Sequence, residues 1–326
     1  MLPIVSVIVP IYNVECFIEK CVISLMEQTL TNIEYIFVDD CTPDNSIIIL
    51  KKILERYPHR QEQVKMITHN HNKGLPAARN TGLENAIGKY IYHCDSDDYI
   101  EKEMLEQMVH EAEDKQADMV WCDFWLTYEN KERYMKQPLY TLPEEALKGV
   151  LTGKMKYNVW NKLVRHSLYL DYHIAFPAGY GMGEDMTMIK LLALAEKIAY
   201  VPKAFYHYIR TNVSAFTQTM SEKHLSDVKH NTDCTIAFVK QVYGDELNFY
   251  ISLFQLDVKL PLLMTADEEC YIKWLKWFPE SHLYIMENTN ISKRMRYVQY
   301  MASKHQFWFV KMHFYMHGFI YRMLYQ

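Results

Sequence analysis

The sequence predicts an α/β fold, a mainly parallel central sheet covered by helices, with a helical extension at the C-terminus. Three observations carry this. Short apolar runs of strand length alternate with helix-spaced patterns from residue 4 to residue 112, the order that builds right-handed βαβ units. Beyond about residue 220 glycine becomes sparse, and long helical patterns rich in Tyr, Phe, Trp and Met take over. The 326 residues are 49% hydrophobic, enough to bury one large domain plus an appendage.

Ile4 to Val9 is an apolar run that ends at Pro10, which a helix interior would not tolerate, so it reads as a buried strand. Asn13 is a good N-cap, and Val14, Phe17, Ile18, Cys21, Val22 and Leu25 then recur on one helical face. Ile33 to Val38 forms the second strand, Thr42-Pro43-Asp44 opens the second helix, and Val64 to Thr68 is the third strand. A third helix runs from about Pro76 to Ile87, and Tyr90 to Cys94 is the fourth strand. After an acidic loop, Met104, Leu105, Met108, Val109 and Ala112 mark another helix. Residues 118 to 210 are mixed, with aromatic-rich strand-like runs at Met119 to Tyr128 and Ala204 to Ile209. The expected domains are 1–218 and 219–326.

With a net charge of -5, nothing at the level of the whole chain argues for nucleic acid, whose partners usually carry a basic face. Its seven cysteines, without a CxxC or zinc-ligand spacing, read as reduced cytoplasmic thiols. The apolar N-terminus has no preceding Lys or Arg and contains Pro3 and Pro10, unlike a signal peptide. No uncharged apolar stretch reaches the ~18 residues that suggest a transmembrane helix.

Ligands of open α/β sheets bind at the carboxyl ends of the strands, so the loops after the first four strands are where chemistry is expected. They read Pro10-Ile11-Tyr12-Asn13, Asp39-Asp40, Asn72-Lys73-Gly74 leading to Ala78-Arg79-Asn80, and Asp95-Ser96-Asp97-Asp98. The first has no glycine, which excludes a dinucleotide-binding GxGxxG turn, and no P-loop motif occurs anywhere. Three carboxylates within four residues repel one another unless a cation or backbone N–H groups compensate them. Oxygen ligands of this kind suit Mn²⁺ or Mg²⁺, whereas capping of the following helix would account for one acid only.

This ordered set resembles family 2 glycosyltransferases, in which a PxYN turn, a VDD strand end, an NxGxxxARN segment and a DSDD loop follow one another. The likeness continues through Asn158-Val159-Trp160-Asn161-Lys162-Leu163, the Glu184-Asp185 pair, and Tyr206-His207-Tyr208-Ile209-Arg210 followed by Ser214. It is similar to the branch that builds bacterial cell-surface polysaccharides. The resemblance implies the GT-A nucleotide-sugar-binding fold and an inverting transfer from a nucleotide-sugar donor, with UDP suiting the base site, to a glycan or lipid-linked acceptor. By the same resemblance Pro10, Tyr12, Asn13, Asp39, Asn72, Gly74, Arg79, Asp95 and Asp97 bind the donor. Tyr12 and Asp39 hold the base, and Arg79 lies near the diphosphate; packing and a surface ion pair are the plainer alternatives for Tyr12 and Arg79.

Asp97 or Asp98 touches the metal by family analogy, and His207 completes its shell in some relatives, though a His between two tyrosines also suits an aromatic core edge. Asp185 follows the glycine-rich turn Gly179-Tyr180-Gly181-Met182-Gly183 and is the base of the family's ED pair; as a plain helix N-terminus the acids would face the dipole. A non-catalytic sugar-binding protein on the same fold is the alternative function, against which Asp97, Asp98 and Asp185 argue.

Residues 291–326 hold Lys293, Arg294, Arg296, Lys304, Lys311 and Arg322 and no acid, interleaved with Phe307, Trp308, Phe309, Phe314, Tyr315, Phe319 and Tyr321. This pattern fits peripheral contact at the inner face of the membrane, or a helical domain with solvated bases.

Overall fold

The computed structural model describes residues 2–181, 186–210 and 221–325, the side chains of 317–325 excepted. It divides into two units, residues 1–147 with 157–235 and residues 148–156 with 236–326. The expected boundary at 218/219 lies outside the described residues.

In the first unit β1 (Val5–Ile11), α1 (Ile18–Met26), β2 (Ile33–Asp39), α2 (Ser46–Leu54), β3 (Val64–Thr68), α3 (Leu75–Glu84) and β4 (Tyr90–His93) follow in turn. These four strands are parallel, and β1 and β2 are almost wholly buried, which is why they read as continuous apolar runs. The chain continues through β5 (Tyr99–Ile100), α4 (Met104–Lys115), β6 (Met119–Thr127), β7 (Glu132–Met135), α5 (Pro143–Leu151), β8 (Lys162–Arg165), α6 (His166–Asp171), α7 (Thr187–Leu194) and β9 (Ile198–Ile209). Among the described residues the sheet order is β3-β2-β1-β4-β8-β6-β9-β5, with β7 paired to β6. The half beyond β4 mixes directions: β8 is antiparallel to β4 and β6, while β9 is parallel to β6.

Pro10 does not end β1, which runs on to Ile11. Ile4 and Ile8 turn their carbonyls toward β4, whereas Ile11 turns its carbonyl to Asp40, so the missing N–H of Pro10 falls on the β4 side, past the last β1–β4 pair, Ile8–His93. Asn13 is not the cap of α1. It adopts φ 55° and donates its N–H to Thr42 Oγ1 at 2.8 Å, and α1 begins five residues later. Gly82 lets α3 lie hard against β1, since a Cβ there would stand 2.3 Å from Ile8 Cγ2.

α8 (Glu222–Tyr243) spans the division between the units, and α9 (Asn248–Val258), α10 (Glu268–Lys276), α11 (Lys293–Ser303) and α12 (Phe307–Tyr325) complete the second. Its core includes Phe254, Leu256, Tyr271, Trp274, Val298 and Ala302. Lys259 is fully buried there, and its Nζ donates to the Trp277 carbonyl at 2.6 Å and to His282 Nε2 at 2.9 Å. His282 stacks on Trp274 with centroids 4.6 Å apart; burial, and then the charge of Lys259, pull its pKa down to about 4. Among the described residues no helix is long and apolar enough to cross a membrane.

Candidate active site

The carboxyl ends of β1 and β4 lie side by side where the sheet order changes direction, the position at which an open α/β sheet leaves a crevice. Tyr12 stands there 47% exposed, so packing does not account for it. Its loop is tied to the next one: besides the Asn13–Thr42 bond, Glu15 N–H donates to Asp44 Oδ2 and Asn45 N–H to Glu15 Oε2. Asp39, the last residue of β2, accepts from Thr42 N–H at 2.9 Å.

Its neighbour Asp40 has a different task. It is 3% exposed and accepts from the N–H groups of Lys73 and Gly74, both at 2.8 Å, while His69 Nδ1 lies 2.6 Å from Oδ1. Gly74 needs φ 88° for this turn, which delivers the chain into α3 and leaves Asn72 exposed. Sequence reasoning placed Asp40 in the motif without a role; its signal is His69, visible only once β2 and β3 are paired.

One turn into α3, Arg79 is 1% exposed and donates from Nη2 to Asp95 Oδ1 at 2.7 Å. A surface ion pair is therefore excluded for it. Phe176 lies 5.6 Å from the guanidinium and edge-on to His93 at 5.0 Å. Burial, then the charge of Arg79, keeps the His93 imidazole well below its usual pKa. Asn80 exchanges two hydrogen bonds with the backbone of Phe176, Nδ2 to the carbonyl at 2.9 Å and Phe176 N–H to Oδ1 at 2.8 Å. The segment that leads to the Glu184-Asp185 pair is held again at Tyr180, stacked on His230 at 3.8 Å, and at Gly181, whose N–H donates to Asp227. Glu184, Asp185 and Ser214 lie outside the described residues.

The acids after β4 divide their work. Asp98 is 1% exposed; Oδ2 accepts from Tyr206 O–H at 2.6 Å and Oδ1 from Ile209 N–H at 2.7 Å. Burial first, then Asp97 and Asp95, push its carboxyl well above the usual carboxylate range. Asp95 faces Arg79, and Asp97 is the partly exposed acid between them.

His207, expected in the metal shell, has both ring nitrogens on carboxylates, Nε2 on Glu101 at 2.8 Å and Nδ1 on Glu132 at 2.9 Å, and stacks on Tyr99. Among the described residues no group of three or more His, Cys, Asp and Glu is arranged to hold a metal ion. Asp97, partly exposed two residues from the Asp95 carboxylate, is of the kind that suits an ion taking one or two protein carboxylates and completing its shell with substrate phosphates.

The Asn158–Leu163 motif is architectural. Asn161 Nδ2 donates to the Cys122 carbonyl, and Lys162 Nζ to Asn161 Oδ1 and the Asn158 carbonyl. Trp160 stacks on Tyr206 at 4.3 Å and so backs the hydroxyl that holds Asp98.

The family model for glycosyl transferase family 2 matches residues 6–183. The chain belongs to that family. This glycosyltransferase is 34% identical over 275 residues to the uncharacterized glycosyltransferase EpsJ of Bacillus subtilis (strain 168), covering 80% of this chain and 78% of EpsJ. It is 30% identical over 154 residues to that organism's putative teichuronic acid biosynthesis glycosyltransferase TuaG, covering 46% and 60% of the two chains. Among solved structures, S. aureus TarS 1–349 in complex with UDP-GlcNAc superposes with a TM-score of 0.69 at 21% identity, over 98% of this chain and 92% of that one. That likeness establishes the GT-A fold with C-terminal helices for this family 2 glycosyltransferase.

Proposed function

We propose that the chain transfers a sugar, with inversion, from a UDP-sugar to a hydroxyl of a glycan or lipid-linked acceptor in cell-surface polysaccharide synthesis. The observation that carries this is the buried Arg79 guanidinium joined to Asp95, which ties the helix after β3 to the acidic loop after β4, as Asp40 ties the loops after β2 and β3. UDP as the carrier is supported by the nucleotide sugar in the TarS complex, and the pathway by the similarity to TuaG, a putative teichuronic acid biosynthesis glycosyltransferase.

In this reading Tyr12 and Asp39 receive the base. Arg79, held behind Asp95, lends positive charge to the diphosphate end of the crevice as negative charge grows on the leaving group. Asp97, and not Asp98 or His207, is the ligand we assign to Mn²⁺ or Mg²⁺, which when bound supplies positive charge to the leaving diphosphate. Asp185 takes the acceptor's proton as the hydroxyl oxygen attacks the anomeric carbon from the face opposite the leaving group. We place the protein peripherally at the inner face of the membrane, through residues 291–326.

The test is mass spectrometry of products from a panel of nucleotide sugars offered with Mn²⁺ and acceptor glycans. Free UDP together with a new glycoside is the expected result. A newly made nucleotide sugar would mean nucleotidyl transfer, and binding without turnover would mean a sugar-binding protein.

A further inference from the structure

We propose that one face of α12, with the turn that joins it to α11, seats on an anionic lipid bilayer. The inference sharpens the peripheral location given above to named side chains, and it does not depend on which sugar is transferred.

In the first half of α12, Val310 is fully buried and His313 is 6% exposed, so one face of the helix already serves the core of its unit. The opposite side is not polar. Trp308, Met312, Tyr315 and Met316 are 62%, 43%, 59% and 49% exposed. Their spacing of four, three and one puts them on a single stripe of the helix. Isolated exposed apolar residues are ordinary, but an aligned stripe of two aromatics and two methionines on a helix that has buried its other face calls for a partner.

Charge selects the partner. α11 exposes Tyr297 and Tyr300 beside the exposed bases Lys293 and Arg294, and Lys304 stands exposed at its end. Lys311 is engaged by Glu268 at 3.6 Å, so the attraction rests on the other three. With no Asp or Glu anywhere in residues 291–326, a second copy docking face to face would set like charges together. An anionic lipid surface meets both features, since aromatic side chains settle at headgroup level while lysine and arginine reach the phosphates.

Full-length protein would be sedimented with vesicles of phosphatidylcholine alone and of phosphatidylcholine containing phosphatidylglycerol, in parent form and as two variants. Trp308→Ser with Tyr315→Ser removes the stripe; Lys293→Gln with Arg294→Gln and Lys304→Gln removes the charge. All are exposed positions, and circular dichroism confirms the fold. The expected outcome is parent binding that favours the anionic vesicles, a loss of roughly tenfold in the stripe variant, and loss of the anionic preference in the charge variant. The proposal is overturned if the parent does not bind, or if the stripe variant binds like the parent. It is also overturned if light scattering shows a parent dimer that the stripe variant dissociates while neither binds vesicles.

Discussion

Arg79 donates to Asp95 across 2.7 Å, coupling the helix after β3 to the acidic loop after β4, and only the carboxylate of the pair reaches solvent. A donor diphosphate entering the crevice would meet the Asp95 carboxylate, with the Arg79 charge set behind it to offset the repulsion. Arg79→Lys keeps the charge and removes the planar fork, so UDP affinity should fall by roughly tenfold, and because the site is buried the melting temperature should fall as well. Calorimetry on the folded variant decides; unchanged affinity would return Arg79 to a structural role.

UDP should bind appreciably only with Mn²⁺ or Mg²⁺, because the acidic loop otherwise faces a diphosphate of like charge. Asp97→Ala should abolish the gain from metal. Asp98→Ala should act on stability instead, by about 1–3 kcal/mol, as it leaves the Tyr206 hydroxyl and Ile209 N–H without their acceptor. If Asp97→Ala binds UDP and metal like the parent, the metal assignment fails.

Asp185→Asn should leave donor affinity and metal dependence nearly intact while transfer falls by a factor on the order of 10² to 10⁴. Glu184→Gln should do less. Near-parent transfer by the Asn variant would send the search for the base elsewhere.

Asn80 should matter through the backbone it holds. Asn80→Ala loses both bonds to Phe176, so kcat for transfer should drop by roughly tenfold while donor KM changes little. Equal losses in kcat/KM for donor hydrolysis and for transfer would instead indicate damage to the donor site.

The helical unit should be sensitive to acid. His282 has an ordinary pKa of 6.5 when unfolded and about 4 when folded, so between these values the unfolded chain binds the extra proton. Stability is therefore present above pH ~6.5 and is lost as pH falls toward 4. Lys259 and Trp274 are the groups that face His282, and Glu280 faces Lys259. Urea midpoints at pH 7 and pH 4.5 should diverge less in His282→Gln than in the parent.

β1, β2 and β4 were legible because strands buried on both faces are mostly apolar, and the loop motifs then fell at the carboxyl ends of the parallel strands. β5, two residues long, and β8, four residues long, carry too little pattern to be seen. Asp39 and Asp40 could not be told apart as neighbours; what separates them is that Asp40 turns inward to His69, a partner 29 residues away. Likewise Asp98 looked like a metal ligand because its true partners, Tyr206 and Ile209, come from a strand whose pairing the sequence does not display. Asn13 has the chemistry of a cap, but the hydroxyl of Thr42 claims its backbone.

Asp98 and Ile209 are 111 residues apart in the chain, and this sets a time as well as a place. At ~5–20 residues per second of synthesis, the acidic loop leaves the ribosome on the order of 6–20 s before β9 can close over it. Until then Asp98 has no hydroxyl or N–H from that strand, and water must solvate what the finished sheet encloses. The N-terminal parallel strands can pair early, but the acidic loop is fixed at Asp98 only when β9 arrives. A nascent chain halted before β9 would hold all four early motif loops in its sequence while Asp98 still lacked the two groups that fix it.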